Sequence, residues 1–211
     1  MPMSHGVHCL LVDDHALFAD ALGLLIAHRH PTVRLSTANR LSGALDQLRQ
    51  APDIGLVLLD LNLPDSRGLD TLAQLREAAP MARVIVLSAD DRAETVMAAL
   101  DGGASGFIPK SADAAALDQA LRTVLGGGVH VPPALTRSAD SATGGELPPL
   151  TARQMDVFRC LVGGLSNKLI ARELALSDST VKTHVQAIFD KLGVTSRAQV
   201  VLQAARMGWL P

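Results

Sequence analysis

The sequence lacks any apolar run long enough to cross a bilayer. Strings such as Leu56–Leu59 and Val84–Leu87 are a fraction of the ~20 residues that a spanning helix needs. No basic stretch leads into an apolar segment at the N-terminus, so no signal peptide is expected, and neither is a membrane partner. Cysteine is scarce. Cys9 and Cys160 each sit in an apolar pattern and read as buried small hydrophobes rather than a bridge, which fits a reducing cytoplasm. Lysine is nearly missing from the first 147 residues: Lys110 stands there alone against ten arginines. A chain that otherwise uses arginine has kept one compact ammonium, and the two cations are not interchangeable.

What is present is an ordinary globular composition, 48% apolar and 19% charged, in 211 residues, enough for two small domains. The net charge of −2 hides a division. Residues 148–211 hold eight Lys and Arg against four Asp and Glu, and the remainder holds eleven against seventeen. A basic C-terminal part beside an acidic N-terminal part points to nucleic acid as a partner of the former only.

Residues 7–125 alternate short apolar runs (Val7–Val12, Val33–Leu35, Gly55–Leu59, Val84–Leu87, Gly106–Ile108) with helical patterns near 15–28, 40–50, 68–78, 91–101 and 112–125. Five repeats of strand then helix predict a doubly wound α/β domain, a parallel sheet with helices on both faces. From Gly126 the texture changes to glycine and proline pairs, which read as a linker over 126–147 whose start can pack on the last helix. Residues 148–211 then read as an all-α unit of four short helices, opened by Thr151, Ser166, Ser177 or Asp178, and Ser196. The expected limits are 1–125, 126–147 and 148–211.

Ligands of a parallel sheet bind beyond the carboxyl ends of its strands. There the sequence places Asp13 and Asp14, Asp60, Ser88 and Lys110. Three converging carboxylates repel one another unless a cation binds, and hard oxygens with room for water suit Mg²⁺. A carboxylate can also attack phosphorus, with a metal and a cation neutralising the transferred oxygens. Asp13 and Asp14 are the expected metal acids, Asp60 the nucleophile and a further metal ligand, Lys110 the phosphoryl partner and Ser88 a hydroxyl donor to it. Each alone has a plainer reading as a turn former or helix cap; together, on the right strand ends, they do not.

The segments LLVDDH, LVLLDLNLPDSRGLD, VIVLSAD and GASGFIPKS resemble those of response-regulator receiver domains, over about residues 7–125. The resemblance implies phosphoryl transfer from a sensor histidine kinase to Asp60. It adds the Asn62 main-chain carbonyl to the metal ligands and makes Ser88 and Phe107 a switch pair. His15 follows the acid pair but nothing in the sequence makes it a ligand, and it reads as a surface residue.

In the helical part, two helices meet around Leu176-Ser177-Asp178 as in a helix-turn-helix. The second would enter the major groove with Val181, Val185 and Ile188 facing the core. Lys182, Thr183, Gln186 and His184 then lie toward the bases, while Lys191, Asn167, Lys168 and Arg197 suit the sugar-phosphate backbone. LTARQMDVFRCLVGGLSNKLIARELALSDSTVKTHVQAIFDKLGVTSRAQ resembles the LuxR-type domain of the NarL/FixJ response regulators, from Leu150 to about Gly208. Gln154 stands where that family usually has Glu. The reading implied is a phosphorylation-switched, DNA-binding transcription regulator that acts as a homodimer when phosphorylated and is not an enzyme, beyond any catalysis of its own phosphorylation and dephosphorylation. Phe107 would follow Ser88 and Lys110 inward on phosphorylation. A haloacid-dehalogenase-like phosphatase would need a second acid at position 62, where Asn62 stands. A binding module indifferent to phosphate would leave the acidic set unexplained.

Overall fold

A computed structural model describes residues 6–137, 148–207 and 209. Its first part is a five-stranded parallel sheet in the order β2-β1-β3-β6-β7. The strands are β1 (His8–Val12), β2 (Arg34–Ala38), β3 (Ile54–Asp60), β6 (Arg83–Ser88) and β7 (Gly106–Pro109). The apolar runs of β1, β3 and β6 are buried along nearly their whole length because helices cover both faces. On one face Leu10, Val57, Leu59 and Val86 meet α2 (Leu41–Gln50), α3 (Leu69–Ala78) and α4 (Ala93–Asp101). On the other Leu11, Leu58 and Leu87 meet α1 (Ala16–Arg29) and α5 (Ala114–Leu125). The side-chain period of two along a strand divides the runs between these two cores.

Between β3 and α3 the chain makes a small antiparallel ribbon, β4 (Asn62–Leu63) and β5 (Ser66–Arg67), which the sequence pattern did not show. Asp65 in its turn accepts the amides of Leu41 (2.8 Å) and Ser42 (2.9 Å) at the start of α2. The Ser42 amide first, with that of Leu41, holds the Asp65 carboxyl below its ordinary value. Thr71 donates to the Leu61 carbonyl at 3.1 Å. The loop that follows Asp60 is therefore pinned on two sides.

The first part of the expected linker is packed. His130 bridges to Gly106 beside β7, with Phe107 N donating to His130 O (3.1 Å) and His130 N to Ser105 O (3.0 Å). A Cβ on Gly106 would lie 3.2 Å from that of His130, so the close approach calls for glycine. Val129 and Val131 enter the core, and α6 (Pro133–Arg137) follows. The remainder of the expected linker, 138–147, lies outside the described residues.

The second part comprises α7 (Ala152–Val162), α8 (Asn167–Glu173), α9 (Asp178–Leu192) and α10 (Arg197–Arg206). Thr151, Ser166, Ser177 and Ser196 each cap the following helix by accepting a backbone amide. Each such cap contributes about 1 kcal/mol. Phe158, Ile170, Val181 and Ile188 form the small core, as the apolar spacing predicts; Val185 is only half-buried.

The two parts touch. Ala198, Val201 and Leu202 of α10 join the apolar cluster that contains Val96 and Leu100 of α4. Asp101 Oδ1 accepts the amide of Ala198 at 2.7 Å. Arg83 Nη1 donates to Gly163 O (3.3 Å), and Ser166 Oγ to Pro80 O (3.3 Å). A Cβ on Gly163 would lie 3.1 Å from Gly127 O, so the glycines that stop α7 also let the two parts meet.

Candidate functional site

The carboxyl ends of β1, β3, β6 and β7 bring the expected residues together. Asp13 and Asp60 are almost wholly buried, 3% and 2% exposed, whereas Asp14 is open to solvent. Two buried carboxylates at one place are costly unless a cation answers them. Lys110, just beyond β7, supplies one. Its Nζ lies 2.7 Å from Asp60 Oδ2 and 2.8 Å from Asp13 Oδ2. Burial alone pushes the Lys110 ammonium down, but the bonds to Asp13 and Asp60 outweigh it and hold the group above its ordinary value. Its Nζ also stands over the Phe18 ring, 5.0 Å from the ring centre. No motif in the sequence singles out Phe18, so this contact was not legible there.

Asp60 Oδ1 accepts the amide of Asn62 at 3.0 Å, which fixes the carboxylate plane. Ser88, the last residue of β6, is buried, and its Oγ accepts the amide of Asp90 at 3.1 Å. Phe107 is already fully inside, in the core with Val129 and Leu100. The expected inward swing of Phe107 therefore has no outward starting point in this conformation.

His15 is a surface residue, as the sequence reading has it, and its ring also reaches the acids. Its Nδ1 lies 2.9 Å from Asp14 Oδ1, 3.2 Å from Asp13 Oδ1 and 4.0 Å from Asp60 Oδ2, so it belongs to the acidic cluster although most of the side chain is exposed. An exposed polar residue at a loop–helix junction carries no periodic signal.

The donor set suits a small divalent ion. Ligand atoms of Asp13, Asp14, His15 and Asp60 all lie within 4.8 Å of one another. Asp13 Oδ2 is buried without a well-directed hydrogen bond, although Lys110 Nζ stands close to it. Hard carboxylate oxygens beside exposed positions leave room for bound water, as Mg²⁺ requires.

On α9, Lys182, Thr183 and Gln186 are exposed on a common side, and His184 is half-buried. Lys182 makes no hydrogen bond or ion pair among the described residues, whereas Gln186 Nε2 donates to Asp190 Oδ1 at 2.9 Å. The structure separates the expected phosphate contacts from one another. Lys191 Nζ donates to Pro149 O (2.7 Å) and Gln154 Oε1 (2.9 Å). Gln154 keeps the capping box with Thr151, so the neutral amide preserves the local tie. Both acceptors of Lys191 are neutral, and its positive charge stays exposed. Asn167 and Lys168 line a cleft of about 780 Å³ between the two parts, with Arg76, Pro80 and the Val185 flank of α9. Arg197 lines it too, but its Nη2 donates to Leu161 O at 2.8 Å. Burial first, then the neighbouring Arg76, disfavours the Arg197 charge, partly offset by Asp101. In this arrangement Arg197 ties α10 to α7 and sits near Arg76 and Asp101 of the first part rather than on an open nucleic-acid face.

Comparison with known proteins agrees with this geometry. The family described as response regulator receiver domain matches residues 9–122, and that described as bacterial regulatory proteins, luxR family, matches 148–204. The glycerol metabolism activator of Pseudomonas putida is 37% identical over 207 residues, covering 92% of this chain and 93% of its own. The nitrate/nitrite response regulator protein NarL of Escherichia coli K12 is 32% identical over 200 residues, covering 92% of each. A solved structure of the RcsB response regulator of Salmonella typhimurium superposes with a TM-score of 0.59 over 95% of this chain and 98% of its own. At 19% identity that likeness shows the fold alone. No described helix is long and apolar enough to cross a membrane. The family of the helical part is one of bacterial regulatory proteins. The chain belongs to the response regulators, with a receiver domain followed by a LuxR-type helix-turn-helix domain, and is a DNA-binding transcriptional regulator of a two-component system.

Proposed function

We propose that Asp60 is the phosphoryl acceptor of this regulator and that a sensor histidine kinase is the donor. One observation carries the reading: a buried Asp60 carboxylate held 2.7 Å from the Lys110 ammonium, inside a ring of acids at the strand ends. An Asp60 oxygen forms the new O–P bond as the N–P bond of the phosphohistidine breaks, and the released imidazole takes up a proton. Lys110 follows the new dianion, and the Ser88 hydroxyl turns to donate to it. Asp13, Asp14 and the Asn62 main-chain carbonyl would hold Mg²⁺, which supplies charge neutralisation at the phosphoryl oxygens. Phe107 acts with Ser88 through packing, since its strand carries the bond to His130.

The division of labour follows the limits 1–125, 126–147 and 148–211, in a cytoplasmic protein. Lys182, Thr183, Gln186 and His184 face the bases, and Lys191, Asn167 and Lys168 the phosphates. Asn167 and Lys168 stand in the cleft beside the receiver, so phosphorylation acts by parting the two domains. Arg197 would reach a phosphate only once they part. Two copies then occupy the half-sites of one operator.

The test is labelling of the intact protein with acetyl phosphate and Mg²⁺, which also asks whether the receiver catalyses its own phosphorylation. One base-labile phosphoryl mass is expected, absent in Asp60→Asn and abolished by chelation of the metal. Equal labelling of Asp60→Asn would sink the assignment.

A further inference from the structure

Beyond the acids already assigned, we infer that His15 is a direct ligand of the divalent-cation site and biases it toward transition ions that accept imidazole, Mn²⁺ among them, over Mg²⁺. This rests on the metal-binding reading of Asp13 and Asp14. The distances carry it. In an octahedral shell with bonds of about 2.1 Å, adjacent ligand atoms lie about 3.0 Å apart and opposite ones about 4.2 Å apart. His15 Nδ1 stands 2.9 Å from Asp14 Oδ1, 3.2 Å from Asp13 Oδ1 and 4.0 Å from Asp60 Oδ2. The first two match neighbouring corners of one shell, and the third matches an opposite corner.

Asp13 faces two ways. Its Oδ2 meets the Lys110 ammonium, while Oδ1 meets the His15 ring and the His15 amide, the latter at 2.8 Å. The ammonium and the imidazole thus address different oxygens of this buried acid, and a cation between Asp13, Asp14 and His15 need not displace Lys110 from Asp13. Besides the acids, the His15 Nδ1 meets only the Lys110 ammonium, at a long 3.5 Å, and the ring has no capping task. His15 occupies the N-cap position of α1, yet its side chain accepts no amide from that helix. With the side chain 67% exposed, a hydrated ion can reach the ring. Imidazole binds Mg²⁺ poorly, and affinity for it rises along the transition series from Mn²⁺ onward; Mn²⁺ shares the oxygen preference of Mg²⁺ and is the paramagnetic probe of the two.

The experiment loads the full-length protein with Mn²⁺ alone, without phosphodonor, and reads nitrogen hyperfine coupling by pulsed electron paramagnetic resonance. A directly bound imidazole nitrogen is expected in the parent and not in His15→Ala. Calorimetric titration should show Mn²⁺ affinity falling about tenfold in His15→Ala, with Mg²⁺ affinity changing less than twofold. Mn²⁺ bound without imidazole coupling, or equal weakening for both ions, overturns the His15 assignment and leaves the carboxylate site intact. Mn²⁺ that fails to bind the parent overturns both.

Discussion

Ala175 is the one non-glycine among the described residues with a left-handed backbone, at φ 51°. It ends α8 in the turn before α9. Leu176 N returns to Ala171 O at 2.8 Å and Ala175 N to Arg172 O at 3.3 Å, a pattern that usually holds glycine at this position. The left-handed form costs an alanine roughly 1–2 kcal/mol, and glycine surrenders about half of that gain in the unfolded chain. Ala175→Gly should therefore stabilise the helical domain by about 0.5–1 kcal/mol. Trp209, the only tryptophan of the sequence, packs edge-on against Phe158 at 6.4 Å, so its fluorescence in a urea titration reports on this domain. An unchanged or lower midpoint would mean that the turn is not strained. At this scale the sequence was legible where chemistry is rare, as at Lys110, and silent where proximity decides. Phe18 and His15 reach the acidic site through the fold and not through any spacing that a reader could count.

Strands and helices were legible where a period persists. The buried runs of β1, β3 and β6 and the capped helices α7 to α10 each carry their own signal, an apolar string or a Ser or Thr before an amphipathic stretch. Ribbon β4–β5 and helix α6 are too short to hold a period. Helix α9 shows how far element-level reasoning extends. Val181 and Ile188 are fully buried, and Lys182 and Gln186 point outward from the same turns. Truncating Lys182 or Gln186 to alanine should cost about 1–3 kcal/mol on the preferred operator and relax the preference at one base pair. Lys168→Ala on α8 should weaken all sequences alike and flatten the dependence on salt. Binding of half-site libraries at several salt concentrations separates the two patterns. If none of the three changes either quantity in a folded protein, α9 is not the reading helix.

No local pattern announces how the two domains sit together, because the contact joins residues about a hundred positions apart. Asp101 at the end of α4 accepts the second amide of α10, placing a carboxylate at a helix N-terminus on the far side of the domain boundary. Ser196 caps the same helix from within, so α10 survives without Asp101 but the closed arrangement loses a charge-assisted bond. Asp101→Ala should weaken closure by about 1 kcal/mol and raise operator affinity of the unphosphorylated protein by up to about fivefold. Fluorescence anisotropy with labelled DNA measures it, and an affinity equal to that of the parent would show that this contact does not restrain the DNA-binding domain.

The apolar cluster shared by α4 and α10 has a thermodynamic consequence that runs in the opposite direction from signalling. If a phosphoryl group on Asp60 favours separation of the domains, and operator DNA is bound by the separated form, the two ligands are linked and each must help the other by one and the same factor. Operator DNA then stabilises the acyl phosphate as surely as the acyl phosphate promotes binding. A promoter is in that sense part of the sensor: the regulators held on any site, strong or weak, are richer in phosphoryl groups than the free pool by that same factor.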